Sequence, residues 1–168
     1  MTLEQLNHLK KKELKEALAK CCGSATWVEK MTAIFPLKDK ATLLRKAEEL
    51  WFACSEEDWR EAFTHHPKIG DLNSLKEKFA ITSKWAEGEQ SGVKTTTPQV
   101  LEQLAEGNRL YEEKFGYIFI VCATGKSAEE MLRILRSRLP NNPEEEIKIA
   151  MSEQNKITKL RLEKLLSS

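Results

Sequence analysis

Two adjacent imidazoles precede a proline in the run His65-His66-Pro67-Lys68-Ile69-Gly70-Asp71. Proline disfavours helical geometry in the residue before it, so the run predicts a helix that stops at the pair, with His66 extended and its ring presented from a chain reversal. An imidazole, with an unperturbed pKa of ~6.5, populates both protonation states near neutrality, as a general acid or base requires. The proline argument favours His66 over His65 as the working ring. A His-Pro turn that merely closes a helix has the same residue types, and at this point both readings stand. A metal is poorly served: sequence neighbours point apart, Asp71 is the only nearby carboxylate, and zinc needs three or four convergent ligands.

A second constellation is Trp85-Ala86-Glu87-Gly88-Glu89-Gln90-Ser91-Gly92. Glu89 and Gln90 stand between two glycines near an indole, so an acceptor and a donor-acceptor pair are offered beside an aromatic surface. A planar, amide-rich small molecule would use both. A solvated surface loop is the other reading. Farther on, Ile147, Ala150, Gln154, Ile157 and Arg161 share one helical stripe. A charged side chain aimed inward costs several kcal/mol unless paired, so Arg161 is expected to meet a buried carboxylate, either structural or belonging to an anionic ligand.

The elements that must position these groups are helical. Leu14, Ala17, Leu18 and Cys21 form a stripe expected to end at Gly23 through a left-handed residue. Ser24 caps a helix carrying Trp27, Met31 and Ile34, which Pro36 stops. Asp39 precedes a helix with Leu43, Leu44, Ala47, Leu50, Trp51 and Cys54 on one face. Ser55-Glu56-Glu57-Asp58 places a capping hydroxyl and three carboxylates at the positive end of the helix that runs into the histidine pair. Thr97-Pro98 opens another helix, closed by Gly116. Ser127 with Glu130 predicts a capping box for a helix bearing Met131, Ile134, Leu135 and Leu139, and Asn142-Pro143 opens a last helix to about Leu166.

Only Tyr117-Ile118-Phe119-Ile120-Val121-Cys122-Ala123 is β-like, and it has no comparable run to pair with. It is expected to be an extended, largely buried connection near residues 117–123 whose backbone groups find partners elsewhere. The sum is an all-α chain, a single domain over residues 1–168, in which roughly eight helices form one compact bundle.

Composition narrows the functional classes. At 168 residues folding buries roughly 70% of the unfolded surface, enough for one sizeable core. Lys and Arg number 27 against 26 Asp and Glu, so no basic field marks a nucleic-acid binder. The longest uncharged apolar run, Phe115 to Gly125, falls short of the ~20 residues of a membrane-spanning helix. Cys21, Cys22, Cys54 and Cys122 form no CxxC pair and follow no secretory leader, and the last residues do not form a Ser-Lys-Leu address; a cytoplasmic, reduced protein is expected.

Taken together, four motifs resemble the OHCU decarboxylases, which act on 2-oxo-4-hydroxy-4-carboxy-5-ureidoimidazoline. They are His66-Pro67-Lys68-Ile69-Gly70, Gly88-Glu89-Gln90-Ser91, the run Tyr111 to Ile120, and Lys156 to Leu162, in family order and spread over nearly the whole chain. The resemblance implies the step that ends in S-allantoin during urate breakdown, an all-helical homodimer, and no metal or organic cofactor. It places the family's proton-donating histidine on His66 and its acidic partner on Glu89. The substrate pocket then takes in Pro67, Glu87, Gly88, Gln90, Arg161 and backbone groups of Phe119, Ile120, Val121, Cys122 and Ala123. At Ala86 the family commonly has serine, so one hydroxyl hydrogen bond is missing or replaced, at about 0.5 to 1.5 kcal/mol. The rival from another class is a non-catalytic helical interaction module; within the enzymes it is a metal-dependent hydrolase, which exhaustive chelation would inactivate.

Overall fold

The computed structural model describes residues 1–66 and 97–167, which form eight helices and no strand. They are α1 Leu3–Asn7, α2 Lys11–Cys21, α3 Ala25–Ala33, α4 Lys40–Phe52, α5 Glu56–Phe63, α6 Pro98–Phe115, α7 Ala128–Arg138 and α8 Pro143–Ser167. The all-α architecture that the periodicity predicts is therefore the one that forms. The chain divides into two compact units, Met1–His66 with Ile147–Ser168, and Pro67–Glu146.

Helix starts in both units are made by the side chains expected to make them. Ser24, Asp39, Thr97 and Ser127 each accept a hydrogen bond from the backbone amide three residues on, satisfying a donor the helix leaves orphaned. Ser55 does the same, and Asp58 bonds back to the Ser55 amide to complete a capping box. For Ser127 only the hydroxyl half of the expected box forms. The short helix α1 escaped the periodicity argument, yet Thr2 and Gln5 cap it reciprocally.

In the first unit the core is built around Leu18, Trp27, Met31, Leu43, Trp51, Phe63 and Leu162, all essentially fully buried. Buried indoles need partners for their N–H groups. Trp27 donates to the Ala47 carbonyl at 3.0 Å and Trp51 to the Met151 carbonyl at 2.8 Å, so α3 and α8 are each tied to α4. The N-terminus of α3 is tied to α5 by Thr26 Oγ1 donating to Asp58 at 2.7 Å and the Ala25 amide donating to Glu61 at 2.7 Å. These bonds hold the end of α5, where the histidine pair lies, against the connection Cys22–Ser24.

Gly23 corrects an expectation. It has no positive φ, and the residue capping α2 is Cys22 in extended geometry (φ −151°, ψ 121°). What Gly23 supplies is space: a Cβ there would lie 2.5 Å from Cγ and Cδ2 of His65 and 2.7 Å from its Cβ. Gly116, by contrast, closes α6 as expected, at a left-handed φ of 82° that other residues adopt only with strain. Gly23→Ala must displace the His65 ring, and we expect it to destabilise the fold by about 1–3 kcal/mol. Adding His65→Ala should recover much of that loss in urea unfolding, because the two substitutions share one contact.

In the second unit α6 and α7 pack closely; a Cβ on Gly107 of α6 would come within 2.5 Å of Leu135 on α7. The buried face of α7 is Ala128, Met131, Leu132, Leu135 and Arg138, so its last core position is an arginine and not the expected Leu139, which caps the helix. Residues 117–123 join the two helices without ladder pairing, as expected.

Candidate active site

His66 follows α5 in a tight turn, its amide donating to the Phe63 carbonyl at 3.3 Å and that of His65 to Ala62 at 3.1 Å; the helix itself stops at Phe63, just short of the pair. The two rings then separate in role. That of His65 lies over Gly23, whereas His66 is half-buried and its Nε2 hydrogen-bonds Oε1 of Gln154 on α8. Gln154 is fully buried, and its Nε2 donates to Thr158 Oγ1 at 3.0 Å one helical turn on. Thr158 in turn stands near enough to the Cys22 thiol to influence it. A continuous polar chain thus runs from the imidazole into the core.

Burial is the main cause that holds His66 below the ordinary histidine range; the Gln154 bond opposes it, and the charges of Arg161 and His65 reinforce it. In the resting site the ring is therefore biased toward its neutral form. Arg161 lies on the same unit, half-exposed, with Nη1 donating to the Lys20 carbonyl at 3.4 Å. Among the described residues no carboxylate pairs with it, so a structural salt bridge, one of the two partners expected, is not found there. The guanidinium stands near enough to His66 and Cys21 to influence both, which sets a fixed positive charge near the imidazole.

The thiols are not candidates for chemistry. All four cysteines are buried and none is in a disulfide, and burial pushes Cys21 up to about 11 and Cys22 up to about 12, far from the thiolate a nucleophile needs. Among the described residues no three His, Cys, Asp or Glu side chains converge on a possible metal position, and no helix is long and apolar enough to cross a membrane.

Pro67, Ala86, Glu87, Gly88, Glu89 and Gln90 lie outside the described residues. The segment Phe119–Ala123 belongs to the second unit, where a buried network holds it. Arg138 donates to the Ile120 carbonyl at 2.7 Å through Nη1 and to Glu146 Oε2 at 2.8 and 2.6 Å through Nε and Nη2. Tyr111 donates to the same carboxylate, Asn141 donates to its other oxygen at 3.1 Å, and the guanidinium sits 4.6 Å over the Phe119 ring. Burial and the bond to Glu146 push the Tyr111 phenol up, so it remains a neutral donor. Lys126 Nζ takes the Cys122 carbonyl at 2.7 Å. Glu146, expected only to complement a helix dipole, is wholly buried and paired. Arg138 and Glu146 share one overlooked signal, a polar residue on the otherwise apolar register of its helix; Gln154 carries the same signal on the stripe already noted, without a role assigned to it.

The model of the OHCU decarboxylase family matches residues 7–163. This chain belongs to the OHCU decarboxylase family. Among its relatives, the uric acid degradation bifunctional protein TTL of Arabidopsis thaliana is 39% identical over 148 residues, 88% of this chain and 45% of that protein. The 2-oxo-4-hydroxy-4-carboxy-5-ureidoimidazoline decarboxylase of Halalkalicoccus jeotgali is 24% identical, with 98% of this chain and 92% of that protein covered. A crystal structure of an OHCU decarboxylase in the presence of (S)-allantoin superposes with a TM-score of 0.74 at 39% identity, covering 92% of this chain and 99% of that one. The chain spans less than half the length of the bifunctional relatives it matches.

Proposed function

We propose that this member of the family decarboxylates 2-oxo-4-hydroxy-4-carboxy-5-ureidoimidazoline to (S)-allantoin in urate breakdown, without metal or organic cofactor, as a cytoplasmic homodimer. The observation that carries the reading is a half-buried imidazole at the end of α5, held by a buried amide and set near an arginine that no described carboxylate neutralises. An anionic substrate supplies the missing charge.

The chemistry follows from the groups. Breaking the bond to the carboxylate releases carbon dioxide and leaves an electron pair, which the ring's own carbon–nitrogen unsaturation accepts to give an enol-like anion. A proton then passes from the His66 imidazolium to one face of the adjacent, ureido-bearing carbon, forming the new C–H bond of the S product; the hydroxyl on the carbon that lost the carboxylate becomes the carbonyl, its proton passes to the ring nitrogen, and the neutral imidazole is recharged from water. Arg161 holds an anionic or carbonyl oxygen through its planar fork. The resting site disfavours the imidazolium, but a bound carboxylate adds the opposite charge that favours it, so substrate binding recruits the proton that the reaction later uses. Glu89 acts as the acidic partner and Gln90 as a substrate ligand, in a pocket to which Pro67, Ala86, Glu87, Gly88 and the backbone of Phe119–Ala123 contribute. Anchoring of the Ile120 carbonyl by Arg138 supports the last role, because it fixes the orientation of the neighbouring peptide groups.

The test generates the substrate in place from urate and follows the product by circular dichroism. Accelerated appearance of (S)-allantoin, insensitive to exhaustive chelation, is the expected result. Unchanged slow, racemic decay in the presence of folded protein would refute the reading and favour an interaction module.

A further inference from the structure

Gln154 occupies a core position of α8, in register with Ile147, Ala150, Thr158 and Leu162, where an apolar side chain would ordinarily pack. A buried amide costs free energy unless both its ends are bonded, and here both are. In the structure its nitrogen donates to Thr158 Oγ1 at 3.0 Å, and the end facing the imidazole is the carbonyl oxygen, which only accepts. The ring nitrogen opposite must then carry a hydrogen in the neutral and in the charged form alike. A neutral imidazole has one N–H, and the partner of one nitrogen decides the state of the other.

Resting on the decarboxylase reading, we propose that Gln154 is a positioning residue that selects the Nε2–H tautomer of His66 and leaves Nδ1 as the atom that takes up and delivers the reacting proton. Proton transfer then converts the imidazolium to this one tautomer, with the Nε2–H bond to Gln154 unbroken throughout. The ring cannot swivel without stranding the buried carbonyl oxygen, so the Nδ1 proton keeps one direction, as a stereospecific donor requires. Among the described residues the charged or titratable groups facing His66 are His65 from its own turn and Arg161 from α8. Both disfavour the imidazolium, which leaves the Gln154 carbonyl as the described group that supports it.

The experiment reads the ring directly. Nitrogen-15 spectra of the labelled, substrate-free protein should show neutral His66 as the Nε2–H tautomer. Gln154→Glu should raise the His66 pKa by roughly one to three units and move the pH profile of kcat/KM by the same amount in the alkaline direction. Gln154→Leu, which keeps the bulk and loses the acceptor, should lower kcat by about 10- to 100-fold with a smaller change in KM, and erode the excess of S product. An Nδ1–H tautomer in the wild-type protein would overturn the proposal, and so would a His66 pKa unmoved by Gln154→Glu. The wild-type spectrum decides even if neither variant folds. Because it needs no turnover, an inactive protein showing the Nε2–H tautomer would sink the decarboxylase reading and leave the tautomer assignment standing.

Discussion

His66→Asn should lower kcat by about 10²- to 10⁴-fold, the usual contribution of a positioned general acid, while helical circular dichroism stays intact. His65→Asn should cost far less, since its ring packs over Gly23 and leaves the polar chain to Gln154 untouched. Equal losses from the two would reassign the working ring.

The pH dependence has a definite sign. The proton donor must be charged in the reacting complex, so activity falls as pH rises through the relevant pKa. For kcat/KM that pKa belongs to the free enzyme, where burial holds His66 below the ordinary histidine range. For kcat it belongs to the complex, where the substrate carboxylate raises it. The alkaline limb of kcat should therefore lie at higher pH than that of kcat/KM, and coincident limbs would contradict proton recruitment by the substrate. Stability responds to the same shift. With the folded pKa depressed below the unfolded one, the unfolded chain binds more protons between the two values. The His66 contribution to stability is thus intact above the unfolded pKa and lost as pH falls through the folded one.

The second large effect is on the fold. Arg138→Met leaves the Glu146 carboxylate buried without its guanidinium and the Ile120 carbonyl without its donor, and should destabilise by about 3–5 kcal/mol in urea unfolding. Removing both charges, as Arg138→Met with Glu146→Leu, should cost less than the two single substitutions added together, because no lone charge is left in the core. Additive losses would mean that the pair is not coupled. A soluble Arg138→Met protein should also bind substrate more weakly, if the Phe119–Ala123 backbone has the role proposed for it.

How much of this was legible in the residues depends on the reach of each signal. Ser24, Asp39, Ser55, Thr97 and Ser127 mark their helices from sequence because a cap bonds an amide three residues away, whatever the rest of the chain does. The stripe of Trp27 and Met31, and the left-handed stop at Gly116, are local in the same sense. Gly23 misled for an equally physical reason: near a helix end a glycine reads as a left-handed cap, and only the fold brings the His65 ring onto it. Arg161 was expected to find a carboxylate, since inward charge needs a partner. Within the described residues it takes a backbone carbonyl and remains half-exposed.

The sequence by itself determined the helical class, most helix starts, the prominence of His66 and the family, all of which rest on spacing within a few residues or on motifs in order. The tertiary structure alone decided the partners. Gln154 meets His66 across 88 residues, and Trp51 meets Met151 across 100. Even Arg138 and Glu146, only eight apart, meet through a chain reversal between two helices. Periodicity states which face of a helix turns inward, but not which buried group waits there. A polar residue on an apolar face acquires meaning only when packing supplies the atom it must bond.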